Sequence, residues 1–122
     1  MKIVMAVIQP FMLSKVTRAL EEIPGFPGMT VMDVRGFGRE RGANASHKII
    51  EDFVEYVQKV RIEVVAADEV AEEIARVIVQ AAHTGNRGDG KVFIWPVEFA
   101  ARIKTGEQGE AAVSGELPLS QK

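Results

Sequence analysis

The chain has 122 residues, 47% hydrophobic and 26% charged, with a formal net charge of −2 at pH 7 and no cysteine. That length suits one domain with a real core, yet small enough to gain from oligomerising. The acidic balance argues against nucleic-acid binding, which needs a basic footprint, and the absence of cysteine excludes disulfides, thiol catalysis and thiolate metal sites.

From the N-terminus, Ile3 to Ile8 is continuously apolar, the pattern of a strand buried on both faces. It is too short for a signal peptide or a membrane span, so a cytoplasmic protein without direct membrane insertion is expected. After Pro10, the residues Leu13, Val16, Ala19, Leu20 and Ile23 recur at helical spacing, and Pro24-Gly-Phe-Pro-Gly28 stops that helix. Thr30 to Phe37 reads as a strand, with Met32 and Val34 on one face and Asp33 and Arg35 on the other. Residues 39–58 then show neither helical nor strand period, and loops of that length are usually functional or disordered. The later part, Ile49 to Val57, is apolar enough to extend a strand or to bind a partner.

Val60 to Val65 is the third strand, its apolar positions alternating with Arg61 and Glu63. Asp68 is the expected N-cap of a second helix, whose stripe is Val70, Ile74, Val77, Ile78 and Ala81. Val92 to Phe99 is the last strand, and Pro96 requires an edge or non-bonded position there. The tail from Ala111 to Lys122 is polar and expected to be mobile in isolation. Strand, helix, strand, excursion, strand, helix, strand is the α+β, ferredoxin-like βαββαβ order.

The chemistry concentrates between the second helix and the last strand. Thr84-Gly-Asn-Arg-Gly-Asp-Gly-Lys91 packs three glycines, one acid and two bases into eight residues. Gly88 and Gly90 let backbone N–H groups converge on an anion, with Arg87 and Lys91 supplying charge; the same letters also describe a plain turn between helix and strand. No Walker A loop is present, because Val92 follows the lysine. A second basic run, Arg102-Ile-Lys104-Thr-Gly106-Glu107, places Arg102 and Lys104 on one face if the segment is extended. Together the two runs suggest a phosphate held from two sides.

Pro10-Phe11, Gly28-Met29-Thr30-Val31, Gly36-Phe37-Gly38-Arg39, the 84–91 run and the 102–107 run resemble, in order and spacing, the PII signal-transduction family. The resemblance covers residues 1–113, with one residue inserted around Pro24 to Phe26, and leaves 114–122 as a polar tail. It implies a homotrimer of ferredoxin-like subunits with adenine nucleotide, ADP or ATP and also AMP, in clefts between neighbours. By that resemblance 39–58 is the T-loop, 84–91 the B-loop and 102–107 the C-loop. Gly88, Asp89, Gly90 and Lys91 would then hold phosphate and ribose, while Arg102 and Lys104 reach the phosphates from a neighbour. Thr30 and Val65 would meet adenine, and Gly38 and Arg39 would lie beside the phosphates at the T-loop base. The implied role is non-enzymatic: nucleotide occupancy sets T-loop conformation, which controls a membrane transporter or metabolic enzyme in nitrogen regulation.

Some positions depart from the family pattern. Lys104 stands where a second arginine is usual, keeping charge but losing the planar fork. Glu40 replaces a glutamine that helps bind Mg-ATP and 2-oxoglutarate; its carboxylate could ligate Mg²⁺ but would repel an anionic oxoacid. Lys59 keeps the position that pairs with 2-oxoglutarate. Asp52 replaces the modifiable tyrosine and Ile50 the phosphoserine position, so neither modification is expected, and Lys48 falls where an arginine plugs an ammonium channel.

Three rival readings compete. A slow nucleotide hydrolase would need Glu40 or Glu107 as base, each equally a solvated carboxylate. A ferredoxin-like divalent-metal-binding trimer would have only His47 and His83, which lack ligand spacing, and His83 at a helix end suits a cap. Single-stranded RNA binding would use Phe93, Trp95 and Phe99 as stacking residues, a stripe that a core or a trimer interface explains more simply.

Overall fold

A four-stranded antiparallel sheet, in the order β2-β3-β1-β4, carries the fold in the computed structural model, which describes residues 1–38 and 56–115. The strands are β1 (Lys2–Ile8), β2 (Thr30–Gly36), β3 (Val57–Ala66) and β4 (Lys91–Pro96). Helix α1 (Leu13–Glu21) follows a 3-10 turn at Pro10–Met12, α2 (Asp68–Ala82) joins β3 to β4, and a second 3-10 turn spans Gly109–Val113. This is the expected βαββαβ order. Arg39, Glu40, His47, Lys48, Ile50, Asp52 and residues 116–122 lie outside the described residues.

The core forms because two periods meet. Strand alternation turns Val4, Ala6, Ile8, Val60, Ile62 and Val64 to one side of the sheet, and helical spacing turns Val16, Leu20, Ile74 and Ile78 onto them. Fully burying a side chain such as Leu20 or Ile74 contributes about 1.5–3 kcal/mol. In α2 the stripe is shifted slightly from expectation: Ala71, Ile74, Ile78 and Ala81 are buried, whereas Val70 and Val77 are half-buried.

Several elements differ from the sequence reading. β1 is buried on one face only, since Ile3, Met5 and Val7 point to the other face, which no element among the described residues covers. That open face also carries Phe93 and Trp95, 49% and 42% exposed, registered opposite Met5 and Ile3. Arg61 and Glu63 form an ion pair on it at 2.6 Å. β3 starts earlier than expected, taking in Val57 and Gln58, because β2 pairs with it down to Gly36↔Val57. β4 ends at Pro96 rather than Phe99; it is an edge strand, as the proline demanded, and the next N–H, of Val97, donates to Met1 O.

Asp68 is not the N-cap. Ala67 holds that position, and Asp68 is the first residue of α2, its carboxylate 3.0 Å from the N-terminal ammonium of Met1. That hydrogen bond holds the Asp68 carboxyl below the usual carboxylate range.

Candidate functional site

The strand register builds a cleft of about 570 Å³ at one end of the sheet, a volume ordinary for small-ligand sites. Thr30, the first residue of β2, lies opposite Glu63, and Val65 lies opposite Ile3. These four, with Gly28 and Met29 on the way into β2, line the cleft, and Arg102 lines it with residues 112–115. The walls offer apolar surface from Ile3 and Val65 beside the Thr30 hydroxyl and the Glu63 carboxylate. Glu63 accepts a hydrogen bond from Arg61 Nε at 2.9 Å, which fixes its direction.

Arg102 is the cation of this cleft. Its Nη2 donates to Ser114 O at 3.0 Å, and its Nε stands 3.4 Å from Glu107 Oε1. Among the described residues, that Nε is the buried side-chain nitrogen left without a hydrogen bond. The segment around it is not extended, as expected, but turns tightly. Arg102 N–H donates to Glu107 O and Gly106 N–H to Arg102 O, each at 2.8 Å, and Ala101 bridges to Gln108. Lys104, inside that turn, is exposed.

At the opposite end of β1 the glycine-rich connection 84–90 is braced from within. Asp89 accepts the N–H of Thr84 at 2.8 Å, the N–H of Gly85 at 2.9 Å and the Thr84 hydroxyl. The Thr84 hydroxyl, then the Thr84 and Gly85 N–H groups, hold the Asp89 carboxyl below the usual range. His83 ends α2 as expected, with Nδ1 3.8 Å from Asp89 Oδ2. Lys59 Nζ donates to Gly88 O, and Gln9 Nε2 to Arg87 O at 3.4 Å. Gly90 has φ 102°, and a Cβ there would sit 1.7 Å from Val7 O, so only glycine fits. Lys91 then opens β4 opposite Val7, on the same open face as Arg61 and Lys59.

The chain therefore presents two clusters. Thr30, Val65 and Arg102 meet in the cleft beside Ile3, whereas Gly88, Asp89, Gly90 and Lys91 gather with Lys59 beside Val7. Ile3 and Val7 are four positions apart, about 13 Å along β1. Gly38 is exposed just past the end of β2, on the glycine-loop side.

The family described as nitrogen regulatory protein P-II matches residues 1–107. The nitrogen regulatory protein P-II of Azospirillum brasilense is 46% identical over 113 residues, covering 93% of this chain and 100% of that protein. For nitrogen regulatory protein P-II 1 of Escherichia coli strain K12 the identity is 42% with the same coverage. The chain belongs to the P-II family. A crystal structure of Arabidopsis thaliana PII bound to citrate superposes with a TM-score of 0.74 at 37% identity, covering 91% of this chain and 90% of that one. The ferredoxin-like fold and membership of a family of nitrogen regulatory proteins are thus both in hand.

Sequence reasoning did not single out Glu63, Gln9 or residues 112–115 as site residues. Glu63 looked like a solvent-facing position in an alternating strand, and only its pairing with Thr30 brings it into the cleft. Gln9 had no signal beyond its place before Pro10. Among the described residues, no group of three or more His, Asp or Glu stands ready to hold a metal ion. No helix there is long and apolar enough to cross a membrane.

Proposed function

We propose that this P-II family protein is a non-enzymatic regulator that binds ADP or ATP between copies of its own chain. The observation that carries the proposal is the split site. One chain offers a base-sized cleft with Thr30, Val65 and Arg102 at one end, and a cationic, glycine-lined loop with Lys91 at the other. A neighbour packed on the open face of the sheet would bring its loop to this cleft and join the two halves into one nucleotide site. Phe93 and Trp95 on that face support such packing, in a homotrimer.

In this reading Thr30 and Val65 receive adenine. Gly88, Gly90 and Lys91 of the B-loop hold phosphate, with Arg102 and Lys104 of the C-loop completing the charge. Asp89 shapes the B-loop, since its carboxylate already serves Thr84 and Gly85. Gly38, Arg39 and Glu40 sit in sequence where the T-loop leaves β2, so ligand charge acts on the base of that loop. A ligand shifts the loop only as far as its affinity differs between the loop's states. The partner so controlled would be a transporter or a metabolic enzyme met in the cytoplasm. Mg²⁺ would join ATP at Glu40, and 2-oxoglutarate would use Lys59 after displacing its bond to Gly88 O. The Arabidopsis relative's citrate supports an anion-receptive family surface.

Calorimetric titration with AMP, ADP and Mg-ATP, the last with and without 2-oxoglutarate, tests the reading alongside a sedimentation mass. Trimers that bind ADP and ATP are expected. A monomer, or a protein indifferent to every nucleotide, would overturn it.

A further inference from the structure

Past residue 107, where the match to the family model ends, the chain makes a 3-10 turn and runs Ser114 and Gly115 along the cleft. Two contacts fix this strap. A Cβ on Gly115 would fall 2.5 Å from Gly25 O and 2.6 Å from Phe26 O, so the strap lies tight against the connection between α1 and β2. The Ser114 carbonyl accepts Arg102 Nη2 at 3.0 Å. With Glu107 Oε1 3.4 Å from Nε, the guanidinium faces the chain's own oxygens on two sides. These are the positions that ligand phosphate oxygens would take.

We infer that residues 112–115 form an autoinhibitory strap, whose Ser114 carbonyl an anionic ligand of the cleft must displace from Arg102. The inference rests on the nucleotide reading of the cleft. A neutral carbonyl is a weaker acceptor for guanidinium than a phosphate, so the exchange can proceed. The broken bond is still charged against binding, which raises the ligand concentration needed to fill the site.

The test is calorimetric titration with ADP of the full chain, of a chain ending at Val113, and of Gly115→Val, which forces the strap off Gly25 and Phe26. Both variants should bind ADP roughly two- to tenfold more tightly, the worth of one intramolecular hydrogen bond. The gain should vanish when Arg102→Ala is added. Unchanged or weaker affinity in both variants, or a gain that survives Arg102→Ala, overturns the strap while leaving the nucleotide site standing. Absence of binding by the full chain and by both variants overturns the nucleotide reading, and the strap with it.

Discussion

The glycine loop and the cleft sit at opposite ends of β1 and are built in opposite ways. The loop is braced from within and from the sheet: Asp89 ties Thr84 and Gly85, Lys59 and Gln9 hold its carbonyls, and Gly90 nests against Val7. The cleft has walls set by strand register, but the Arg102 cation faces exchangeable partners, a strap carbonyl and a neighbouring carboxylate. On the proposed reading, a pre-formed loop would lose little on receiving phosphate, whereas the cleft would first have to rearrange its cation. One half is therefore suited to affinity and the other to adjustment.

The comparison breaks most completely if the halves do not come from different copies. Trp95→Asp, which puts a charge on the open sheet face, should dissociate the assembly and abolish ADP binding, read by sedimentation and titration together. Retained binding by a monomer would place a complete site on one chain.

Next in size, alanine at Gly90 should cost about 2–4 kcal/mol in a denaturant titration, since backbone must move to admit its Cβ. Gly28 lines the cleft at φ 98° with nothing within 4 Å of a Cβ. Alanine there should cost only the left-handed conformation, about 1–2 kcal/mol. Equal costs would deny the loop its rigidity.

Lys91→Ala and Arg102→Ala should each weaken ADP and ATP binding by roughly 1–3 kcal/mol, as loss of a charged hydrogen bond does. Assemblies mixed from the two variants should regain sites of full affinity, because a cleft from one chain can meet a loop from the other. No recovery on mixing would refute the shared site.

The smallest effect is acid sensitivity of the loop alone. Asp89 has a folded pKa below the ordinary aspartate value of 3.8, so its bonds stabilise the loop fully above that value. Between the two values the unfolded chain binds more protons, and the stabilisation falls with pH until it is gone below the folded pKa. The Thr84 and Gly85 amide resonances should therefore shift on acidification ahead of global unfolding. Amides that stay fixed until the whole chain unfolds would remove Asp89 from the brace.

Much of this was legible in the letters. Apolar periods located four strands and two helices, Pro96 announced an edge strand, and the 84–91 run marked the loop. The boundaries that slipped did so for tertiary reasons. Val57 and Gln58 joined β3 because β2 was there to pair with them, and Asp68 became the first helical residue, its carboxylate paired with the Met1 ammonium. The sequence could not distinguish an extended 102–107 run from the turn that Gly106 N–H and Glu107 O close.

What the sequence determined alone is whatever short-range physics specifies: element type from hydrophobic period, turns from glycine and proline, and where the charged, glycine-rich runs lie. Which of those residues share a site was decided only by strand pairing. Register joins positions more than 30 apart in the chain, as it does Thr30 with Glu63. No local pattern encodes it, because each pairing depends on where the rest of the sheet allows the strand to lie.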